Sequence, residues 1–290
     1  MKKIDFELVS TYKNNTLFSS ESSIFLCFSI CDIEAYFQLD TACPYTFIDE
    51  DFYSGYLINR GVIIKKKHKN DNVFTKSYNY IEDVSLFYNN KLIHHQNYIF
   101  IEKNETKNEQ VKFVSDTKKT IPFAGYLGFD FFEKKILSID YISRKLIFYN
   151  SNFKFKDTIT VDIEISKRAI LLNSIFENNK LICLFDTASS NFDLIIENDL
   201  YKSIFGKINK YEIVIRPDFI FRLYYFIVLF FNLKILNIDI NKKSTKVYTV
   251  SKKLNNYYFS HNKHNAIIGN ITFTNKILYL DLVNFKAAIL

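Results

Sequence analysis

The stretch Lys180-Leu181-Ile182-Cys183-Leu184-Phe185-Asp186-Thr187-Ala188-Ser189-Ser190-Asn191 is an apolar strand pattern that runs straight into Asp-Thr-Ala-Ser-Ser. A shorter copy lies upstream as Tyr36-Phe37-Gln38-Leu39-Asp40-Thr41-Ala42-Cys43. Each copy is followed by an apolar pair and a glycine, Tyr126-Leu127-Gly128 after the first and Ile267-Ile268-Gly269 after the second. The spacings agree. Asp40 to Gly128 is 88 positions and Asp186 to Gly269 is 83, and from each glycine to Asp140 or Asp281 is 12. Recurrence of a whole set of marks at matched spacing reads as an internal duplication, with one Asp-Thr-Ala in each half.

These residues resemble the aspartic protease superfamily, in its bilobal pepsin-like arrangement with retropepsin-like lobes. In that family each lobe carries an apolar strand, then Asp-Thr-Gly, then an apolar-apolar-Gly. The resemblance runs from about Ser23 to the C-terminus, and both lobes depart from it at one place, where Ala42 and Ala188 stand for glycine. The fold it implies is all-β and bilobal: two duplicated barrel-like lobes with a few short helices, residues 1–152 and 153–290. The activity it implies is an aspartic endopeptidase with Asp40 and Asp186 as a catalytic dyad, and with neither cofactor nor metal. Thr41 and Thr187 would then hydrogen-bond across the lobes. Ala42 and Ala188 would bring backbone N–H groups to the carboxylates. Ser189 would reach the outer oxygen of Asp186. Cys43 holds the matching place in the first lobe, where a thiol is a weaker donor. Gly128 and Gly269 would pack beneath the two loops, where a side chain would collide.

The residue types suit the chemistry. Two carboxylates held close cannot both ionise, so they share one proton. The ionised partner takes a proton from a water and the protonated one polarises the scissile carbonyl. The titration belongs to the pair, and the sequence does not divide the roles. The partner would be an extended peptide or protein substrate bound by strand-like hydrogen bonds. A methyl at residues 42 and 188 enters a tight place. The alternative is therefore a weak or inactive peptide-binding protein on the same fold.

Composition sets the frame. A chain of 290 residues can bury a large core. Hydrophobic residues at 48% exclude wholesale disorder, and 30 Phe with 20 Tyr lean toward strands. Six Gly and three Pro are few for such a chain, so Asn, Asp and Lys must make most turns. A charge of +7 spread over scattered lysines reads as a solvated surface rather than a nucleic-acid site. The start, Met1-Lys2-Lys3-Ile4-Asp5-Phe6-Glu7, lacks the apolar core of a leader. Four cysteines, Cys27, Cys31, Cys43 and Cys183, are too few for a disulfide scaffold. Both points favour a cytoplasmic setting, and two lobes in one chain favour a monomer. His94-His95 and His261-Asn262-Lys263-His264 lack metal-ligand spacing and read as surface loops.

Several local expectations follow along the chain. The segment Ile4–Val9 is a terminal strand that pairs with the other lobe. Cys27 and Cys31 share a strand face. Gly61–Ile64 begins a strand, and Lys65 to Asn72 is a hairpin tip in the place of a flap. Asn89-Asn90 is a hairpin turn. Glu50–Leu57 and Glu197–Phe205 are short helices. The apolar strip Leu223–Phe231 is interrupted too closely by Arg222, Asn232 and Lys234 for a spanning helix. It reads as a buried hairpin turning at Asn232, with membrane contact through 223–231 as the competing reading.

Overall fold

The computed structural model describes residues 1–9, 12–13, 16–17, 23–67, 78–102, 121–155, 160–189, 192–206, 210–215, 220–259 and 262–290. The chain is all-β and bilobal, with short helices at the lobe edges.

Each lobe is built on the same plan. In the first, the hairpin Ser23–Ile30 and Ile33–Leu39 leads into Asp40. Ile33–Leu39 then pairs in parallel with Phe123–Leu127, which pairs antiparallel with Phe47–Asp49. In the second, the hairpin Ala169–Phe176 and Asn179–Asp186 leads into the second Asp-Thr-Ala. Asn179–Asp186 pairs in parallel with Ala266–Gly269, and that strand pairs antiparallel with Leu194–Ile196. Period-2 burial explains the strand: Leu181, Cys183 and Phe185 all face the core. Glu50–Phe52 continues as helical turns to Arg60, and Asn198–Phe205 is helical with the Glu197 carboxylate as its N-cap.

One 13-stranded sheet joins the lobes through the strands Val161–Asp162, Lys286–Ile289, Ile277–Asp281, Ile136–Asp140, Lys145–Tyr149 and Lys2–Val9, in that order, and continues from Lys2–Val9 into the first lobe. The middle pair of these strands carries the symmetry. Gly128 and Gly269 are 141 positions apart, and so are Ser138 and Tyr279, which face each other in the antiparallel register. Equivalent strands therefore meet at their own equivalent residue, as an isologous two-fold contact requires. The first strand does not cross lobes as expected. Lys2–Val9 pairs with Lys145–Tyr149 and Ser23–Ile30 of its own lobe, and the crossing is made by Ile136–Asp140 with Ile277–Asp281. The 12-residue spacing also has its cause. Asp140 accepts from the N–H groups of Ile142 and Ser143, and Asp281 from those of Val283 and Asn284, so both aspartates close matching turns.

Glycine-poor turns are met by other residues. Cys31-Asp32, Asn89-Asn90, Lys167-Arg168, Glu177-Asn178 and Leu236-Asn237 all place two successive residues at positive φ, as tight two-residue hairpin loops of type I′ demand. Two expectations fail here. Cys31 lies in a turn and is exposed, not on a core face with Cys27. The second-lobe hairpin turns at Leu236-Asn237, not Asn232, because Ile220–Ile235 is a single long strand paired with Ile238–Val250. Phe231, Leu233 and Ile235 are buried while Asn232 and Lys234 point outward, so the polar residues mark a strand face. Residues 223–231 lie within that strand, with Val228 and Phe231 buried and Leu229 exposed. No helix among the described residues is long and apolar enough to cross a membrane.

The flap region also differs. Residues 62–64 are irregular, and the strand is Lys65–Lys67, paired with Tyr78–Tyr80 at the start of a strand running to Tyr88. Of the expected tip, residues 68–72 lie outside the described residues.

Candidate active site

Two Asp-Thr-Ala loops meet where the two equivalent parallel strand pairs end. Their contact is symmetric. The N–H of Thr41 donates to Thr187 Oγ1 at 3.0 Å, and the N–H of Thr187 donates to Thr41 Oγ1 at 3.1 Å. Each hydroxyl then donates to the other lobe's backbone: Thr41 Oγ1 to the Phe185 carbonyl at 2.7 Å, and Thr187 Oγ1 to the Leu39 carbonyl at 2.8 Å. Both threonines are fully buried, so these four bonds carry the full cost of leaving a polar group unmet. Thr187→Val removes one hydroxyl and orphans both the Thr41 N–H and the Leu39 carbonyl. A loss of about 2–3 kcal/mol is expected in urea unfolding.

Each carboxylate directly precedes one of these threonines in the chain. Asp40 Oδ1 accepts from the N–H groups of Ala42 and Cys43, each at 3.0 Å. Asp186 Oδ1 accepts from those of Ala188 at 2.8 Å and Ser189 at 3.1 Å. Neither Ala42 nor Ala188 is among the residues at positive φ, so a Cβ adds no backbone strain at either place. The alanines do what the glycine would do, which is to present an N–H. Ser189 Oγ donates to Asp186 Oδ2 at 2.8 Å, as expected. Cys43 does not do the same for Asp40, because its Sγ is directed to the Tyr45 carbonyl at 3.1 Å. Ser190 and Asn191 lie outside the described residues.

The glycines underlie both loops. A Cβ on Gly128 would lie 2.3 Å from the Tyr45 carbonyl and 2.8 Å from that of Cys43. One on Gly269 would lie 1.9 Å from the Ser189 carbonyl. The crossing strand passes so close that only glycine fits. In the first lobe the Phe129 N–H then donates to the Cys43 carbonyl at 2.7 Å.

Some supporting residues were not legible beforehand. Asn270 Nδ2 donates to the Thr187 carbonyl at 2.6 Å, and the Tyr141 hydroxyl donates to Asn270 Oδ1 at 2.6 Å. In the first lobe Asp130 accepts from both the N–H and the hydroxyl of Thr46. The only sequence signal was position: Asn270 follows Gly269 directly, and Tyr141 follows Asp140. Between the lobes, the Arg168 guanidinium lies over the Tyr45 ring at 4.5 Å and pairs with Glu133 at 3.4 Å.

His94 and His95 lie on a strand rather than in a loop, with His95 exposed. His94 lies on the strand Lys91–Glu102 against the Phe131 ring and beside Lys135, and burial followed by that ammonium pushes it down to about 3. His264 lies in an irregular segment and is buried, while His261 lies outside the described residues. Among the described residues no group of three His, Cys, Asp or Glu side chains is placed to hold a metal.

Asp40 is pushed up to about 7, first by burial and then by the charge of Asp186, against the pull of the Cys43 and Ala42 N–H groups. The unfolded carboxyl titrates near 3.8, so between there and about 7 the folded protein holds the extra proton and stability falls as pH rises. Asp40→Asn keeps an Oδ1 acceptor and never ionises. It should melt above wild type at pH 8, with the gap closing toward pH 4. A gap independent of pH across thermal melts would contradict this origin.

No protein-family model matches the chain, and no curated protein does. Among solved structures it is similar to the crystal structure of edgp, with a TM-score of 0.51 at 10% sequence identity, over 99% of this chain and 94% of that one. A likeness of that extent at so low an identity shows a shared fold, with both lobes included.

Proposed function

We propose that this protein is an aspartic endopeptidase that hydrolyses peptide bonds with a water activated between Asp40 and Asp186. One observation carries the reading. Two carboxylates from duplicated loops are brought together by reciprocal Thr41–Thr187 bonds, and Asp40 is raised toward neutrality first by burial and then by the charge of the other. Such a pair holds one proton, which supplies an acid and a base in one place. The alanines leave the backbone donors in place, which removes the main reason for reading the chain as an inactive binder.

The substrate is an extended peptide with apolar side chains flanking the cut bond. Two aromatic groups support this. Cys43, beside Asp40, packs against Tyr45, Phe47 and Phe100, joined by Tyr80 and Tyr98. In the second lobe Phe192 packs with Tyr248, Tyr225 and Ile195. The test is a mixed library of unstructured peptides incubated with wild-type protein from about pH 3 to pH 8, a range that spans both steps of a shared-proton pair. Internal cleavage next to apolar residues is expected. Saturable peptide binding without cleavage at any pH would replace the enzyme reading with that of a binding protein.

A further inference from the structure

Resting on the dyad reading above, we propose that the shared proton resides on Asp40, placed there by Cys43 and Ser189 as positioning residues. Asp186 is then the base that draws a proton from the water, and Asp40 the acid that polarises the scissile carbonyl.

The two loops can be matched bond by bond. At the inner oxygens they match, with two backbone N–H groups on each Oδ1. These bonds favour ionisation of both carboxyls alike and decide nothing between them. At the outer oxygens the loops differ. Ser189 Oγ donates to Asp186 Oδ2 at 2.8 Å. The matching residue on the other side is Cys43, whose thiol is occupied with the Tyr45 carbonyl. Among the described residues no group donates to Asp40 Oδ2. A donor on the charged form stabilises the charge, so the side with the extra hydroxyl donor ionises first and the side without it keeps the proton.

The surrounding charges act in the same direction. Besides Asp186, Glu102 at the end of the strand Lys91–Glu102 adds negative charge toward Asp40. Asp130, on the helical turn Phe129–Phe131, bears on Cys43. The Cys43 thiol is held well above its ordinary range by burial and then by Asp40, so it stays neutral. The cation on this side, Arg168, lies over Tyr45 and acts on Asp130.

The proton count closes over one turnover. Asp186 takes a proton from the water as its oxygen bonds to the carbonyl carbon, and the carbonyl oxygen takes the proton of Asp40. The resulting diol collapses: one hydroxyl returns its proton to Asp40, the C–N bond breaks, and the leaving nitrogen takes the proton held by Asp186. The pair ends as it began. The alkaline limit of activity is therefore set by loss of the Asp40 proton.

Carboxyl carbon NMR on the full chain with 13C-labelled aspartate tests the assignment without needing turnover. Asp40→Asn and Asp186→Asn identify the two signals by their loss. In wild type, between the two titration steps, the Asp40 carbon should keep its protonated shift while Asp186 shows the ionised one. Cys43→Ser offers Asp40 the missing hydroxyl, and its upper midpoint should move down by about one pH unit. Ser189→Ala strips Asp186 of its third donor and should move the lower midpoint up. The reverse order of protonation, an even split, or a Cys43→Ser titration identical to wild type would overturn the proposal. Wild-type order in a protein that cleaves no peptide would uphold the proton assignment and count against the enzyme reading alone.

Discussion

Asp40→Asn and Asp186→Asn should each lower peptide cleavage by at least about 10³-fold while leaving the protein folded. General acid and general base contributions are each worth about 10²–10⁴-fold, and each substitution removes both. With one carboxyl left there is no shared proton, because an acid and a base can no longer be held as one pair of carboxyls. The fold has no reason to fail. An Asn Oδ1 can accept the same two N–H donors, and the Thr41–Thr187 grip lies on the backbone side of the loops. Retained activity in either variant, with melting transitions still cooperative, would remove the dyad from the mechanism.

The largest effect on stability is expected at Gly269. A Cβ there would lie 1.9 Å from the Ser189 carbonyl oxygen and 2.5 Å from that of Phe192. Both are backbone atoms of the loop that carries Asp186, so no side chain can swing away to make room. Gly269→Ala must push the loop off its strand, at about 3 kcal/mol or more. Activity should fall with it, because the displaced loop takes Asp186 and its donors along. Gly55→Ala is the matched control. Nothing lies within 4 Å of its added methyl, and the residue sits in the helical stretch Tyr53–Leu57. That change should stabilise by about 0.5–1 kcal/mol. Urea midpoints of the two variants would separate a steric effect from a general cost of losing glycine, and equal midpoints would contradict the packing account.

What was legible in the sequence is what local chemistry constrains. Asp40, Thr41, Asp186 and Thr187 recur because each half needs the same carboxylate, the same hydroxyl and the same turn. The glycines recur because a strand crosses beneath each loop at a distance no Cβ tolerates. Asp140 and Asp281 recur because both close a turn through their own side chains. Where the reading missed, the cause was distance along the chain or a face mistaken for a break. Tyr141 and Asn270 bond across 129 positions, and nothing near either residue announces the other. Asn232 reads as a turn residue, yet it is the outward member of an alternating strand whose real turn, Leu236-Asn237, puts a leucine at positive φ. The first strand was expected to cross lobes. It is held on both sides by its own lobe, an arrangement set by long-range pairing that local pattern does not encode.

The alanines keep the backbone geometry that the motif departure put in question. Read as sequence, Ala42 and Ala188 weigh against an intact site. In the folded chain both sit at ordinary φ and both donate to their carboxylate. The departure with consequences is the quieter one at Cys43, where a thiol stands opposite the hydroxyl of Ser189 and makes two otherwise matched loops unequal.

The central claim, that the two carboxylates act together on a water and a peptide carbonyl, is tested most directly by a transition-state mimic. A peptide cleaved by the protein would be remade with a secondary alcohol in place of the scissile carbonyl, and its binding compared by calorimetry with that of a matched uncleavable amide. The account predicts at least about 10²-fold tighter binding of the alcohol, lost in both Asp40→Asn and Asp186→Asn. Equal affinity for alcohol and amide, unchanged by either substitution, would contradict it.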